Sequence, residues 1–360
     1  MNIDFQKTIT QNKKIFNNLL SSYARILQEI NISCFNNKFC QIIEQYLTGG
    51  GKRFRPIMVR KSFDLFNKQK NKKSLNKVNE LALSIEIVHA FLLCHDDIID
   101  RDSVRHNLPT AHKLFEKLAR KNNYSDTEHF GTSFAILMGD YLIQMGYQII
   151  LESTILSSQQ KCKLLSILTE CVKDTIQGQN QDVLLSYTRN FSAKDIEIIH
   201  EYKTARYTFE TPMLMGAEIA HNLDENVDNI SNFAIPAGIA FQIKDDVLGV
   251  FGDQKKTGKS SFSDLKEGKK TLLTFKAYEK ANFEQKKILD KYLGKIDLSD
   301  EEAEEVRQII RDTGSLDYSL EKCKMYIQKA QKALEKLPKN NKEAWQFLYE
   351  LTEYLVVREV

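Results

Sequence analysis

Apolar residues recur every three or four positions along almost the whole chain, which is the spacing of one face of an α-helix. Segments in which apolar and polar residues alternate strictly, as in a half-buried strand, are absent. Short polar segments separate the helical stretches. The pattern predicts helices near residues 10–30, 36–47, 54–67, 77–101, 110–120, 131–153, 158–180, 194–220, 229–250, 271–280, 283–293, 300–313, 316–335 and 341–356.

These helices are expected to form one domain. The chain contains no internal repeat of roughly 20–50 residues and no long or compositionally biased linker. Segments 131–151 and 229–250 are apolar nearly all round, and such helices lie inside a large bundle. We therefore predict an all-α fold in which residues 1–360 form a single large helical bundle around a central cavity.

Composition narrows the classes of function. The chain has 51 basic and 48 acidic side chains, and its net charge of +3 is not the strong basic excess typical of nucleic-acid binding. Its six cysteines are scattered without a CxxC pair, which indicates reduced thiols. The N-terminal residues lack the apolar core of a signal peptide, and no run reaches the ~18 apolar residues of a membrane span. We expect a cytoplasmic protein with no transmembrane segment and no nucleic-acid partner.

Two acidic motifs end strongly apolar helices. The first, His95–Asp100, has Asp96 and Asp100 four residues apart and therefore on one helix face. The second, Gln242–Asp246, ends in two adjacent aspartates. Neighbouring carboxylates repel each other, and Mg²⁺ held by carboxylates and phosphate oxygens supplies the counter-charge. Either motif alone is compatible with an acidic helix end at the surface, but two of them can face each other across one cavity and bind a single diphosphate.

A basic loop with three glycines, residues 48–56, precedes a helix start. Glycines let the backbone approach a ligand closely, and Lys52, Arg53 and Arg55 supply cationic donors. Pro56 suits the first helical turn, so the loop has the composition of a phosphate site at a helix N-terminus. It is not a Walker loop, because the GxxxxGK[ST] pattern is absent. The alternative is an ordinary basic loop between two helices.

Further basic residues lie close to the acidic motifs in sequence. Arg105 follows the first motif, and Lys203–Thr204 precedes Pro212, whose ring is expected to kink its helix and free a backbone carbonyl. Lys259 lies in the polar segment 252–270 after the second motif. Each of these side chains alone is compatible with a surface position, and their nearness to the acidic motifs favours a binding role.

Taken together, the motifs resemble those of the trans-isoprenyl diphosphate synthases, the family of farnesyl and geranylgeranyl diphosphate synthases. The likeness covers roughly residues 45–275 and follows the family's order. Besides the basic loop and both acidic motifs, it includes Gly178–Gln179 with Asp182, and Lys203–Thr204. The resemblance implies the isoprenoid synthase fold, Mg²⁺ as cofactor with roughly three ions per active site, and a homodimer.

The resemblance also implies roles for individual residues. The residues that it assigns to metal binding are Asp96, Asp100 and Asp245, and those assigned to catalysis are Asp96, Asp97, Asp100, Lys203 and Asp245. Those assigned to substrate binding are Lys52, Arg53, Arg55, His89, Arg105, His106, Thr204, Gln242 and Lys259.

Two positions depart from the family pattern. The first acidic motif is usually followed by two arginines, whereas this chain has Arg105 and His106, which weakens the second diphosphate contact or makes it pH-dependent. The second motif commonly ends in a third aspartate, whereas this chain has Gly249 there, with Asp253 four residues further on. This leaves Asp245 as the metal ligand that the motif supports.

The implied activity joins isopentenyl diphosphate to an allylic diphosphate (dimethylallyl, geranyl or farnesyl) and yields a longer all-trans prenyl diphosphate. One alternative is a class I terpene cyclase, but such an enzyme needs no second diphosphate site, and residues 48–56 with His89 indicate one. Another is a catalytically silent partner subunit, which is expected to lose carboxylates that the first motif retains.

The length of the product is constrained by the residues that precede Asp96. In the family, an aromatic residue in this region acts as a floor that stops elongation. Phe91 lies five positions before Asp96, and the smaller Leu92 lies four positions before it. One aromatic residue at the fifth position resembles the geranylgeranyl (C20) synthases, whereas the alternative is that Phe91 is an ordinary core residue.

Overall fold

The computed structural model describes residues 3–29, 34–68, 73–105, 108–188, 191–252 and 262–357, and most of them are helical. The helices are α1 (Ile3–Glu29), α2 (Cys34–Thr48), α3 (Phe54–Phe66), α4 (Lys73–Ile99), α5 (Ala111–Lys121), α6 (Thr127–Leu151), α7 (Ser158–Tyr187), α8 (Ala193–Ile199), α9 (Thr211–Ile219), α10 (Val227–Phe251), α11 (Ser263–Glu267), α12 (Leu272–Lys280), α13 (Phe283–Tyr292), α14 (Asp300–Asp312), α15 (Ser315–Leu334) and α16 (Lys342–Val357). A π-helical segment, His200–Glu210, joins α8 to α9. Two-residue strands β1 (Val104–Arg105) and β2 (Leu108–Pro109) pair antiparallel after α4.

The all-α class predicted from apolar periodicity is confirmed, and most predicted helices begin and end within a few residues of the observed ones. Three details differ. α1 begins at Ile3 rather than near residue 10, α11 was not predicted, and strands β1 and β2 form where none was expected. These three missed elements are too short for a periodic pattern, because α11 has five residues and each strand has two.

Several helices begin where they do because a side chain caps the first free backbone amides. A capping box, in which the N-cap side chain and the third helical residue bond to each other's backbone, occurs at five helix starts in the described residues. The pairs are Ser157–Gln160, Ser192–Asp195, Thr271–Thr274, Asn282–Gln285 and Ser299–Glu302. These local signals explain why the sequence pattern located the later helices closely.

Pro212 does not break its helix. It has no amide hydrogen, and the chain upstream of it adopts the wider π-helical turn, in which the Thr211 amide bonds to the Arg206 carbonyl. Helix α9 continues directly from this turn. The predicted kink is therefore replaced by an 11-residue π-helical segment that carries Lys203 and Thr204.

The helices enclose one large apolar core, to which α10 contributes most of its length. The C-terminal end of α10 packs with α11 to α14 in a second, smaller apolar cluster. Helix α10 also packs along the π-helical segment and α15, while α4 packs along α6. This packing brings the ends of α4 and α10, which carry the two acidic motifs, next to the π-helical segment.

Helix α6 is only partly inside the bundle. It packs against α4 and α5, but Ile136, Leu137 and Tyr141 are exposed on its outer face. Of the described helices, α6 is the one long and apolar enough to cross a membrane, with 44% of its most apolar window buried. Length and composition alone are weak evidence for a span, since core helices meet the same test. The sequence predicted a fully enclosed helix, and the exposed face corrects that prediction for the single chain.

Candidate active site

An open cavity with about 510 Å³ of empty space lies between the π-helical segment, α10 and the start of α12. Its polar lining includes residues from segments far apart in the sequence, among them Asp182, Lys203, Thr204, Gln242, Asp245 and Lys269. Five of these six were singled out by the sequence motifs, and Lys269 lies in the polar segment after the second one. The cavity therefore brings together the second acidic motif, the Lys203–Thr204 pair and Asp182, which are far apart in the sequence.

Lys203 connects the cavity to the first acidic motif. Its ammonium nitrogen lies 2.6 Å from Asp182 Oδ2 and 3.5 Å from Asp96 Oδ1. Burial lowers the pKa of Lys203, but the Asp96 and Asp182 carboxylates outweigh burial and raise that pKa above its ordinary value. Gly178 permits this arrangement, because a Cβ atom there would lie 2.4 Å from the Lys203 backbone nitrogen. Lys203 is thus a cation that joins the first acidic motif to the cavity that Asp245 of the second motif lines.

Asp96 and Asp100 are adjacent, as the spacing predicted. The Asp100 amide bonds to the Asp96 carbonyl at 2.8 Å, so the last turn of α4 extends to Asp100. Burial, and then the neighbouring Asp96 charge, raise the pKa of Asp100 well above its ordinary value. A carboxylate in that environment is stabilised by added positive charge.

Asp97 is enclosed by other side chains of the protein. Its side chain is fully buried, accepts a hydrogen bond from the Tyr46 hydroxyl at 3.1 Å and another from the Arg105 Nε. Burial raises the pKa of Asp97 to about 6 despite these two donors. The structure thus corrects the assignment of Asp97 to catalysis, because a carboxylate enclosed by Tyr46 and Arg105 positions the arginine rather than touching a substrate.

Arg105 lies in strand β1 and crosses the carboxylates of the first motif. Its Nη2 is 3.5 Å from Asp96 Oδ2 and 3.2 Å from Asp102 Oδ2. Burial lowers its pKa, but Asp97 and Asp96 raise it further, so the guanidinium stays charged. The short hairpin after α4 thus returns a cation to the Asp96 carboxylate. The role of Arg105 in substrate binding, which the resemblance implied, stays a prediction.

The second acidic motif contains a substitution that the structure explains sterically. A Cβ atom at Gly249 would lie 2.1 Å from Asp264 Oδ2, so the Asp264 carboxylate occupies the space where a side chain at 249 would start. Asp264 is buried, lines the same cavity as Asp245 and lies 3.7 Å from the Lys269 ammonium. Sequence reasoning missed Asp264, because only the fold brings α11 against α10.

A second cationic site forms around Tyr207. The Arg55 guanidinium lies 4.0 Å from the Tyr207 ring centroid and donates to the Thr208 hydroxyl at 2.8 Å. The Tyr207 hydroxyl is 3.0 Å from His89 Nδ1. Arg55 Nε is buried without a partner, which leaves a donor for an anionic ligand. Arg55 and His89, predicted to share a substrate, are therefore joined by Tyr207, which sequence reasoning missed although it lies one turn after Lys203.

The other two basic residues of loop 48–56 behave differently from Arg55. Lys52 is exposed and donates to the Tyr354 hydroxyl at 3.0 Å. Arg53 is buried and donates to Asn17 Oδ1, Glu86 Oε1 and the Leu47 carbonyl at 2.7, 2.8 and 2.6 Å. The structure corrects the assignment of Arg53 to substrate binding, since each of its guanidinium nitrogens holds the loop.

Thr204 and Gln242 are also brought together. The Thr204 hydroxyl donates to Gln242 Oε1 at 2.8 Å, and both residues line the cavity.

His106 and Lys259, like Asp253, lie outside the described residues. Phe91 is buried and packs edge-on against His95 with ring centroids 5.0 Å apart, while the neighbouring Leu92 is partly buried. The assignments of Lys259, His106, Phe91 and Leu92 stay predictions.

The acidic residues fit Mg²⁺ bound together with a diphosphate. Among the described residues, no three His, Cys, Asp or Glu side chains are already gathered as a metal cage. Mg²⁺ is usually held by one or two carboxylates plus substrate phosphates, so such a cage is not required. Burial and the adjacent Asp96 charge raise the pKa of Asp100, so a cation bound there would stabilise its ionised form.

Comparison with known proteins identifies the family. A family model described as polyprenyl synthetase matches residues 36–312. The chain is 32% identical over 313 residues to a geranylgeranyl diphosphate synthase of Saccharolobus solfataricus, across 86% of this chain and 87% of that protein. It is also 32% identical over 314 residues to a geranylfarnesyl diphosphate synthase of Aeropyrum pernix, across 87% of this chain and 92% of that protein.

A solved structure shows the same similarity in three dimensions. The fold matches a geranylgeranyl pyrophosphate synthase of Corynebacterium glutamicum, complexed with isoprenyl diphosphate and magnesium, with a TM-score of 0.91 and 28% identity. The match covers 97% of this chain and 99% of that chain. The chain therefore belongs to the polyprenyl synthetase family and has the all-α isoprenoid synthase fold. It is a short-chain trans-prenyltransferase, and members of its family generally use Mg²⁺.

Proposed function

We propose that this enzyme condenses isopentenyl diphosphate with an allylic diphosphate at the cavity that Lys203 and Asp245 line. The observation that carries the proposal is the presence of two separate cationic sites. One lies beside the carboxylates of the acidic motifs, and the other is formed by Arg55, Tyr207 and His89. A condensation of two diphosphates needs two such sites, whereas a terpene cyclase needs one.

The allylic diphosphate is assigned to the carboxylate side of the cavity. Asp96, Asp100 and Asp245 would hold Mg²⁺, roughly three ions per active site, and the metal would neutralise the diphosphate and make it a better leaving group. Lys203 and Arg105 lie against Asp96 and would donate charge-assisted hydrogen bonds to the departing pyrophosphate. Lys259 is proposed to add another such donor.

Isopentenyl diphosphate is assigned to the site around Tyr207. Arg55 has an unpartnered buried Nε, and Lys52 and His89 supply further donors. The carbon–oxygen bond of the allylic diphosphate breaks, and the double bond of isopentenyl diphosphate attacks the allylic cation and forms the new carbon–carbon bond. A proton then leaves the added unit and is accepted by the pyrophosphate, so no protein nucleophile is consumed.

Steady-state kinetics with both substrates tests the two-site assignment. We expect Arg55→Ala to raise the KM for isopentenyl diphosphate by about ten-fold or more, since a charge-assisted hydrogen bond is lost, with a smaller change for the allylic substrate. Arg60→Ala is the matched control, because Arg60 lies one turn further along α3 and pairs with Asp64. An equal rise in both KM values would show that the two sites are assigned wrongly. Full turnover in excess chelator would contradict the proposed dependence on Mg²⁺.

We propose geranylgeranyl diphosphate (C20) as the product. The two relatives described above make C20 and geranylfarnesyl products at equal identity to this chain, so overall similarity does not decide the length. Support comes from Phe91, the aromatic residue five positions before Asp96 on α4.

We further propose a homodimer that buries the exposed face of α6. Ile136, Leu137 and Tyr141 lie on one side of this helix, and exposed large apolar side chains grouped on one side favour a protein partner. A cytoplasmic location is also proposed. It is supported by the cysteines Cys94, Cys162, Cys171 and Cys323, which are free thiols and three of which are buried.

A further inference from the structure

His200 is a buried histidine at the wall of the cavity that no sequence motif singled out. It is the first residue of the π-helical segment, three positions before Lys203, and it is 4% exposed. Its Nε2 lies 3.0 Å from Asp246 Oδ2, and Asp246 is 7% exposed. A carboxylate accepts and cannot donate when ionised, so Nε2 carries the hydrogen of this contact.

The contact is the first in a chain of hydrogen bonds that ends in the allylic site. Asp246 Oδ1 accepts from Gln242 Nε2 at 2.8 Å, and Gln242 Oε1 accepts from the Thr204 hydroxyl at 2.8 Å. His200 and Thr204 come from the π-helical segment, whereas Gln242 and Asp246 come from α10. All four residues line the cavity.

The chain of bonds determines which way the Gln242 amide points. Asp246 offers only acceptors, so it selects the NH₂ end of the amide, and the carbonyl oxygen must then face Thr204. His200 occupies the second oxygen of Asp246 and so restrains rotation of the carboxylate. Without His200, Asp246 keeps a single partner among these contacts, so the carboxylate and the Gln242 amide bonded to it are less restrained.

From this geometry we propose that His200 is a positioning residue of the allylic diphosphate site: it acts through Asp246 to hold Gln242 and Thr204 in their binding orientation. The inference rests on the proposed function, which assigns Gln242 and Thr204 to that substrate. The Nδ1 of His200 is buried with no partner. A buried polar atom without a partner requires an explanation, and the bond that the other nitrogen makes to Asp246 supplies one.

Two substitutions separate positioning from simple packing. His200→Leu fills similar space without a donor, whereas His200→Gln places an NH₂ group near the position of Nε2 and can still donate to Asp246. We expect His200→Leu to raise the KM for the allylic substrate about ten-fold, with the KM for isopentenyl diphosphate unchanged, because a hydrogen bond to a charged group is lost. His200→Gln should stay within about two-fold of the wild type for both.

Calorimetry supplies a readout that does not depend on turnover. Inorganic pyrophosphate with Mg²⁺ is the probe, and we expect its affinity to fall about ten-fold in His200→Leu and to return in His200→Gln. If His200→Leu does not fold, Asp246→Asn provides the test. It replaces one of the two carboxylate acceptors with a donor, so His200 and Gln242 can no longer both donate to residue 246, and the same selective rise in allylic KM is expected. In the variant that carries both His200→Leu and Asp246→Asn, the rise in allylic KM should be no larger than in either single variant, because both substitutions break the same contact.

The outcomes distinguish this inference from the function on which it rests. A wild-type enzyme that binds no Mg²⁺-pyrophosphate would overturn both. Normal wild-type binding with unchanged His200→Leu values, or with both KM values raised in parallel, would overturn the inference alone. An equal loss in His200→Leu and His200→Gln would also overturn it, because the donor would then have no specific role.

Discussion

At the scale of single residues, neighbours in sequence have opposite roles because they point in different directions. Lys52 reaches Tyr354 at the surface, Arg53 is buried against Glu86, and Arg55 stacks on Tyr207. The aspartates of the first motif differ in the same way, because Asp97 is buried against Arg105 whereas Asp96 lies beside Lys203. A motif identifies which residue types are present, and the side chain's surroundings decide which of them can touch a substrate.

Asp100 can be used to test how far a buried carboxylate without a bound metal ion lowers the stability of the fold. Its folded-state pKa is raised by burial and by Asp96, so the folded protein binds a proton more tightly than the unfolded chain does. The stability of the metal-free enzyme therefore falls as pH rises from the ordinary aspartate pKa to the raised one. We expect Asp100→Asn to raise the metal-free melting temperature at pH 7 by about 2 °C or more while it abolishes turnover.

Two controls accompany this measurement by differential scanning calorimetry. The exposed Asp297→Asn should leave the melting temperature unchanged. The gain in Asp100→Asn should shrink near pH 4, where the wild-type carboxyl is protonated in the folded state. A metal-free Asp100→Asn protein that melts below the wild type at pH 7 would contradict the argument.

The product length can be tested at Phe91. If its ring is the floor of the elongation tunnel, Phe91→Ala should shift the products beyond the wild-type length, and Leu92→Phe should shorten them. The measurement is chromatography of the dephosphorylated products from isopentenyl diphosphate and farnesyl diphosphate. An unchanged distribution in Phe91→Ala would place the floor on another helix and remove the support for a C20 product.

At the scale of elements, the π-helical segment organises the site. It carries His200, Lys203, Thr204 and Tyr207, and so contributes to both proposed diphosphate sites. The wider turn before Pro212 changes which side chains share a face relative to an α-helix. Close packing against α7 and α10 then holds the segment in place.

Gly178 provides the test at this scale. An added Cβ would lie 2.4 Å from the Lys203 nitrogen and 2.8 Å from its Cα, and these backbone atoms cannot move independently of the segment. We expect Gly178→Ala to destabilise the fold by about 1–3 kcal/mol through overpacking and to lower kcat by displacing Lys203. Leu184→Ala, exposed on the same helix, is the control and should change neither. A Gly178→Ala enzyme with wild-type kcat and unfolding free energy would show that the two elements do not need this close approach.

At the scale of the whole molecule, the exposed side of α6 sets the expectation for assembly. The helix packs on α4, which carries the first acidic motif, so a second copy covering its outer face would lie behind the active site. An interface there buries apolar surface that a single chain leaves in water.

Light scattering coupled to size-exclusion chromatography checks this expectation. The measured mass of the wild type should be twice the 41.6 kDa mass of the chain. In Leu137→Glu the measured mass should fall toward that of the monomer, because the substitution places a charge in an apolar contact. Ile296→Glu, at a more exposed position far along the chain, is the matched control and should leave the dimer intact. A wild-type monomer at micromolar concentration would contradict the proposal.

Much of this protein could be predicted from the sequence, because the relevant interactions are local. Helix type and approximate bounds follow from apolar spacing and from caps such as Ser157–Gln160, which act within four residues. The adjacency of Asp96 and Asp100 follows from the helical repeat alone. The order of the motifs was specific enough to indicate the family that the comparisons then identified.

The tertiary structure decided what depends on contacts between distant parts of the chain. Arg53 faces Glu86 and not a substrate, Tyr207 joins Arg55 to His89, and the Asp264 carboxylate occupies the space beside Gly249. Apolar periodicity marks which residues prefer burial, but it does not say which helix will cover them. The partners of a charged side chain are determined when the helices pack. Packing buries the side chain, and a buried polar group without a hydrogen bond destabilises the fold.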